Sequence, residues 1–420
     1  MVRLGILFAL ASALNCTLLL SQPIDTTRIV RLDSLIAEVV QHNAELQSAH
    51  AGSQAASARI AQASAWDDPQ MNVRWMETPA SSANFLGDAM ERELGLTQAI
   101  PISGRKSSET AAAQSFARAT SASTLALQNN LVMETKKNFA ILYSAQRRLL
   151  LNYESERLLK QMMQAVQTRS GVGLATQADV LRLQIEQSKL ENDRAIIEHE
   201  IYSAQELLNA LRGGAPHAPL GWVPDISLRD FAYVVGALEM RAVENRMELA
   251  SARAMTDMSL AELSAAKRER LPDLMLGGSY RSFAAMPSTW ELMLGVSIPI
   301  APWSSGKYSG KIEEQEQRVV QSQAMARETE IRIRFEVHDT WIKARAHWQS
   351  AERYRTHILP DAEQALETLR SQYQTGRADF LSLLDAFRML QMFRTEYYME
   401  ISDYLGHRAE LERAIGGSLE

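Results

Sequence analysis

The stretch Gly171-Val172-Gly173-Leu174-Ala175-Thr176-Gln177-Ala178-Asp179 decides how this chain reads. Upstream of it no Gly or Pro occurs from Lys106 to Ser170, and downstream none occurs from Leu174 to Arg212. Gly and Pro are the strongest helix interrupters, so two long helical runs meet at one glycine-marked reversal. The event recurs at Gly376-Arg377-Ala378-Asp379. Setting Gly173 on Gly376 aligns the two returning segments without a gap, at an offset of 203 residues, until Gly213-Gly214 falls on Gly416-Gly417. The chain is an internal duplication.

Working outward, the run from Ser107 to Arg169 predicts a helix roughly 95 Å long. Lys136, Lys137, Arg147, Arg148, Glu154 and Arg157 make it too polar for lipid, so it must pack on other helices along its length. The returning helix, Thr176 to Leu211, carries Leu183, Leu190, Ile197, Ala204 and Leu211 every seventh residue, a coiled-coil seam. In the second copy a long helix runs from Lys311 to Gln374, with Pro360 the expected kink. Its return, Phe380 to Ile415, has the seam Leu383, Leu390, Tyr397, Tyr404, Leu411.

Before each hairpin the period changes. Arg31 to Ser64 is helical, with an alanine-rich end suited to close packing, and Asp67-Asp68-Pro69 stops it. Met71, Val73 and Trp75 then alternate with polar residues, as do Leu94 and Leu96 beyond a loop, which predicts two strands. Pro101 and Gly104 close the segment. After the Pro-rich linker the cycle returns: helix from Phe231 to Arg270, then strands through Leu274, Leu276 and Tyr280 and through Trp290, Leu292, Leu294 and Val296. Pro299, Pro302 and Gly306 close it. The organisation read from this is a first repeat over 22–214, with strands at about 70–76 and 92–98 and a hairpin at 107–211 whose tip lies near 171–179. A linker over 215–229 leads to a second repeat over 230–420, with strands at about 273–283 and 290–298 and a hairpin at 311–415 whose tip lies near 376–379.

Composition narrows the function classes. The net charge of −6 and pI near 5.9 offer no basic surface for nucleic acid. The single cysteine, Cys16, rules out disulfides within the chain and thiolate metal clusters. Met1-Val2-Arg3 followed by the apolar run Leu4 to Leu20 reads as an export signal over 1–21, with cleavage near Ala11-Ser12-Ala13 or Ser21-Gln22. Ala13-Leu14-Asn15-Cys16 is similar to a lipoprotein box, with Asn a poor residue before the Cys. Beyond residue 21 no apolar stretch reaches the roughly 18 residues a spanning helix needs.

Four strands that alternate apolar and polar cannot fill a sheet-on-sheet core in a chain that is otherwise coiled coil. They suit one face on lipid and one on water. Closed membrane barrels start at about eight strands, so several copies must contribute, two giving eight strands and three giving twelve. Trp75, Tyr280, Phe283 and Trp290, near strand ends, suit an interfacial aromatic girdle, or are ordinary packing aromatics.

The chain resembles the TolC-like outer-membrane efflux channels of heavy-metal and drug efflux systems. The resemblance rests on Gln98-Ala99-Ile100-Pro101-Ile102-Ser103-Gly104-Arg105-Lys106, on Val296-Ser297-Ile298-Pro299-Ile300 with Gly306-Lys307, on Gln177-Ala178-Asp179-Val180-Leu181-Arg182, and on Tyr373-Gln374-Thr375-Gly376 leading to Leu383-Leu384-Asp385-Ala386. It implies a mostly α fold with a membrane β-barrel part: duplicated helix, two strands, long helix, long helix units that form a homotrimeric barrel and tunnel. It places the chain in the Gram-negative outer membrane, extending into the periplasm, with outer-membrane lipid, a periplasmic adaptor protein and an inner-membrane transporter as partners. Pro101, Gly104, Pro299 and Gly306 would mark the barrel-to-tunnel transition. Val172, Gly173, Leu174, Ala175, Gly376 and Arg377 would form the tip that meets the adaptor. At the periplasmic gate Asp385 falls on one gate aspartate of the family, and Ser382 stands where the other would be. Asp179 falls on a position that ties neighbouring helices by a salt bridge. The family's Arg partner stands where this chain has Ala378, so Arg377 or Arg388 would have to substitute.

No constellation for catalysis, cofactor binding or phosphate binding is present, so the reading is a passive duct and no enzyme, with energy supplied by a partner. The eight histidines are scattered and none pairs at metal-site spacing. Met162-Met163 and Met389-Met392 lie on apolar helical runs as core filler. The alternative functions are the exit duct of a type I protein secretion system and a periplasmic coiled-coil adaptor. The duplication speaks against the adaptor, which has one hairpin per chain.

Overall fold

The computed structural model of the chain describes residues 29–84, 86–171, 173, 175–299, 303 and 305–419. The export signal over 1–21, Cys16, Val172, Leu174 and Pro302 lie outside the described residues. In order, the elements are α1 (Leu32–His42), α2 (Ala44–Ser64), β1 (Gln70–Met76), β2 (Glu91–Ile100), α3 (Arg105–Gly171), α4 (Gln177–Leu211), α5 (Val235–Asn245), α6 (Met247–Arg268), β3 (Leu274–Phe283), β4 (Thr289–Val296), α7 (Ser305–Arg353), a π-helical turn (Tyr354–Ile358), α8 (Leu359–Gln374) and α9 (Phe380–Ala414). No helix among the described residues is long and apolar enough to cross a membrane. The residues form two compact units, to both of which α3 contributes.

The duplication is physical as well as textual. Buried residues recur 203 positions apart in the short helices and the returning helices: Leu35 and Leu238, Leu46 and Leu249, Leu183 and Ala386, Ile201 and Tyr404. Along the long helices the spacing is 202, as for Ala117 and Val319, Leu131 and Ile333, Leu142 and Ala344. The π-helical turn between α7 and α8 absorbs the one-residue difference. It also accounts for Pro360, which sits in the first turn of α8. Proline has no N–H for the carbonyl four residues back and its ring crowds that carbonyl. A wider turn before it relieves both conflicts, where the sequence predicted a kink.

One unit comprises Ala44–Asn130, Val234–Asp339 and Glu412–Glu420. Its four strands pair antiparallel in the order β1-β2-β3-β4, leaving β1 and β4 at the edges. In it α3 lies against two helices. Thr124 donates to the Ala49 carbonyl on α2 at 3.2 Å, and Ser251 on α6 donates to the Ala119 carbonyl at 3.0 Å.

The other unit comprises the described residues up to Asn43, with Leu131–Tyr233 and Thr340–Leu411. Its core has two clusters. One gathers Leu142, Tyr143, Ile201, Leu208 and Ile401, and the other gathers Leu159, Val166, Leu183, Leu384 and Phe387. The segment after α4 is pinned to this unit, with Leu220 and Val223 buried. Gln146 donates to the Gly221 carbonyl at 3.2 Å and accepts from the Val223 amide at 2.8 Å. Asn209 holds the Ala218 carbonyl at 2.8 Å.

Candidate functional site: the hairpin tips and the one-sided sheet

Each hairpin reverses at a glycine in the left-handed region, Gly173 at φ +73° and Gly376 at φ +76°. Other residues adopt that conformation only with strain. Gly173 donates to the Ser170 carbonyl at 3.0 Å and Gly376 to the Tyr373 carbonyl at 3.1 Å. Arg377 is exposed, and its amide reaches the Gln372 carbonyl at 2.8 Å.

The returning helices then start on matched caps. Thr176 and Asp179 form a capping box at the head of α4: the Asp179 amide donates to Thr176 Oγ1 at 3.3 Å, and the Thr176 amide donates to Asp179 Oδ2 at 3.0 Å. At the equivalent place before α9 the residue types are exchanged. The Ser382 amide donates to Asp379 Oδ1 at 2.7 Å and its hydroxyl to Oδ2 at 3.2 Å. The hydrogen bond from the Ser382 amide holds the Asp379 carboxyl below the usual range. Asp179 and Ser382 therefore serve helix starts within the chain. Asp179 also lies 3.8 Å from Arg182. Arg388, one of the two substitutes considered for the family's arginine, bonds instead to Glu186, with Nε 2.7 Å from Oε1.

Asp385 stands apart from the caps. Its side chain is 67% exposed and 3.7 Å from Arg388. Asp385, Arg388 and the buried Glu186 make a short chain of charges joining α9 to α4. Sequence reasoning missed a second link. Arg169, near the end of α3, donates to the Tyr373 carbonyl and lies over the Tyr373 ring, 4.7 Å from its centroid. Tyr373 in turn packs edge-on to Phe380 at 6.3 Å. Neither Arg169 nor Tyr373 carries a spacing signal in the sequence, because the contact joins residues about 200 positions apart.

The sheet has two unlike faces. The register sets Met71 against Leu96, Val73 against Leu94, Leu94 against Tyr280 and Tyr280 against Trp290, with Leu276 against Leu294. This face is apolar and exposed; Trp290 is 83% exposed. On the opposite face Arg74, Glu93 and Arg281 lie in one cross-strand row. Arg74 is 3.6 Å and Arg281 3.9 Å from Glu93, and Arg281 also pairs with Glu91 at 3.6 Å and with Glu291. Trp75, Tyr280 and Trp290 share the apolar face near the end of the sheet where its loops lie, and the Tyr280 and Trp290 rings meet at 5.1 Å. Phe283 does not join them. It is three residues from Tyr280 and pairs with Glu91, so the two-residue period turns it to the charged face.

At the opposite end of the sheet, Gly104 has φ +72° and its carbonyl accepts from Arg268 at 2.9 Å. Pro101 precedes this turn, and Pro299 follows the end of β4. Gly306, 202 residues after Gly104, lies inside the first turn of α7. Structure also pairs two of the scattered histidines. His347 stacks on His407 at 5.2 Å, with Nδ1 of each held by a carboxylate, Glu400 at 2.8 Å and Glu410 at 2.9 Å. Among the described residues no group of three or more His, Cys, Asp or Glu is arranged to hold a metal ion.

A sheet apolar on one face and charged on the other, in one chain with two duplicated helical hairpins of this length, defines the channel class of outer-membrane protein. A model of the outer membrane efflux protein family matches residues 35–214 and again 239–417, and the chain belongs to that family. It is 22% identical over 330 residues to the cobalt-zinc-cadmium resistance protein CzcC of Cupriavidus metallidurans, covering 76% of this chain and 75% of that one. Its fold matches the crystal structure of CusC with a TM-score of 0.79 at 20% identity, over 95% of this chain and 96% of that one. It matches the outer membrane protein VceC of Vibrio cholerae with a TM-score of 0.78 at 20% identity, over 93% and 97% of the two chains. The chain is an outer-membrane efflux channel of a tripartite pump, a transport duct and not an enzyme, and its partners are a periplasmic adaptor and an inner-membrane transporter.

Proposed function

We propose that three copies of the chain form one duct, with the sheets closed edge to edge into a twelve-stranded barrel in outer-membrane lipid and the hairpins forming a periplasmic tunnel. The observation that carries this is the sheet. Eleven large apolar side chains stand exposed on its one face, from Met71, Val73 and Trp75 on β1 to Trp290, Leu292, Leu294 and Val296 on β4. At roughly 1.5–3 kcal/mol for each full burial, that face forgoes on the order of 15–30 kcal/mol in water. Its two strand edges are open as well. Lipid against the face and a second copy on each edge answer both, with Trp75, Tyr280 and Trp290 at the interface with the headgroups. Pro101, Gly104, Pro299 and Gly306 mark where the barrel gives way to the tunnel in this arrangement.

The tips, with Val172, Gly173, Leu174, Ala175, Gly376 and Arg377, are the docking surface for the adaptor, and Asp385 rings the narrowest point. The relation to a cobalt-zinc-cadmium resistance protein favours divalent metal cations as cargo, and three carboxylates around an axis would attract them. Size-exclusion chromatography with light scattering in detergent, followed by planar-bilayer recording, tests the assembly. A mass of three chains and discrete conductance steps are expected. A single-chain mass without conductance overturns it. Deleting the gene should lower tolerance to cobalt, zinc or cadmium; unchanged tolerance to all three removes the cargo reading.

A further inference from the structure

The charged side chains on the polar face of the sheet lie together at its loop end. The strand register sorts that face into transverse levels. Glu91 stands beside Phe283 at the level nearest the loops, and the next level runs Arg74, Glu93, Arg281. Glu291 on β4 is one level further in, opposite Ser279, and Arg281 reaches it across the diagonal. Beyond that the strands bring Thr97, Gly277, Met293 and Gly295 to this face, and no charge. Arg92, the remaining charged strand residue, pairs with Trp75 and so faces the apolar side.

The charges do not cancel. Arg281 serves three carboxylates, Glu91 at 3.6 Å, Glu93 at 3.9 Å and Glu291, and Arg74 serves Glu93 at 3.6 Å. Two arginines thus face three glutamates, an excess of one negative charge per chain. Glu93 is 6% exposed, yet one of its carboxylate oxygens has no hydrogen bond, and the same holds for one oxygen of Glu91. Ion pairs that serve stability alone gather donors on both oxygens. Here the arginines are shared too thinly for that.

We propose that this level is an electrostatic filter at the mouth of the duct, a selector additional to Asp385, which passes small cations in preference to anions. The inference rests on the multi-chain barrel proposed above, which turns this face to the lumen. Twelve strands about 4.8 Å apart and tilted by about 40° give a backbone radius of about 12 Å. Arginine and glutamate side chains narrow it from within, so the opening left lies within the Debye length of about 10 Å at 0.1 M salt. Three chains set three uncompensated carboxylates around that opening. The small residues at the deeper levels leave the lumen wide and uncharged, which confines selection within the barrel to its mouth. Arg281 sets the strength of the filter, because it restrains all three carboxylates of its chain.

Planar-bilayer recordings in a potassium chloride gradient near 0.1 M test the filter. Arg74→Gln and Glu291→Gln come first, since both side chains are at least half exposed and stand on edge strands, where folding is least at risk. Arg74→Gln should raise the cation-to-anion permeability ratio by about twofold or more, and Glu291→Gln should lower it by a similar factor. Arg281→Gln should raise it further than Arg74→Gln. Arg92→Gln, at the same end but on the apolar face, should keep the wild-type ratio. In 1 M salt, where the Debye length is about 3 Å, the differences should vanish. If Arg74→Gln and Glu291→Gln both match wild type, or move the ratio in the same direction, the filter is wrong and the duct stands. A wild-type protein that gives no conductance overturns the duct and the filter with it.

Discussion

Asn43 and Arg246, 203 residues apart, do the same work in the two repeats. Each sits at the joint between two short helices and reaches the last turn of the returning helix. Asn43 Nδ2 donates to the Leu211 carbonyl at 2.8 Å, and Arg246 Nη1 donates to the Ala414 carbonyl at 3.2 Å. The carbonyls are also 203 residues apart. Duplication has kept the hydrogen bond while changing the residue that makes it.

The two joints should differ in strength. Asn43 makes a neutral bond, so Asn43→Ala should cost about 1–2 kcal/mol. Arg246 is 4% exposed and also binds Glu248 at 2.8 Å and Glu336 at 2.7 Å. Its loss leaves partly buried carboxylates short of a partner, so Arg246→Ala should cost about 3 kcal/mol. Denaturant midpoints of the detergent-solubilised protein, followed by far-ultraviolet circular dichroism, would rank them. Equal midpoints for the two variants would refute the asymmetry.

Glycines at the two ends of each returning helix should respond differently to alanine. Gly213 and Gly416 have φ of +65° and +70°, and a Cβ on either would stand 2.8 Å from the carbonyl oxygen of His42 or Asn245. Strain and backbone collision together should cost about 2–4 kcal/mol. Gly173 has the same φ sign but open space around it, so Gly173→Ala should cost only the strain, about 1–2 kcal/mol. Thermal unfolding of the three variants should place Gly173→Ala nearest wild type.

Most of the architecture was legible because it is carried by periodicity and punctuation, both local. The seven-residue seams, the two-residue alternation and the glycine pairs predict a mainly helical chain with pairs of strands in duplicate, and the short motifs around them carry the resemblance to efflux channels. What stayed hidden depends on contacts between distant residues or on a parity that sequence fixes only once the strand register is known. Phe283 lies near a strand end like Tyr280, yet three residues of spacing put it on the other face. Asp179 and Ser382 read as gate positions, and their part in the helix starts comes only with the structure. Their exchange with Thr176 and Asp379 is plain only when the two starts are superposed. His347 and His407 are 60 residues apart, on α7 and α9, and no motif spacing links them.

Conductance should separate the cap residues from the gate residue. Thr176→Ala and Asp379→Ala each remove one cap and should lower local stability, leaving the reversal potential in a salt gradient where wild type has it. Asp385→Ala removes an exposed charge with no cap role and should shift the reversal potential toward lower cation selectivity. An unchanged potential for Asp385→Ala would remove Asp385 from the gate.

Acid should weaken the contact between α3 and α9 at Glu410. A hydrogen bond from His407 and then the ammonium of Lys137, at 2.6 Å, pull its carboxyl from an ordinary value of 4.5 down to about 2, against the opposing effect of burial. A carboxyl depressed in the folded state contributes stability above its ordinary value and loses it as pH falls through the folded one. Glu410→Gln should therefore be less stable than wild type by about 2 kcal/mol at pH near 5, allowing for the part of the site open to water. The gap should narrow steadily below that and close near pH 2, because the protonated wild-type side chain and the amide then differ little. Urea unfolding of both proteins across this range measures the gap. A difference that stays constant with pH would mean that Glu410 acts by packing and not by charge.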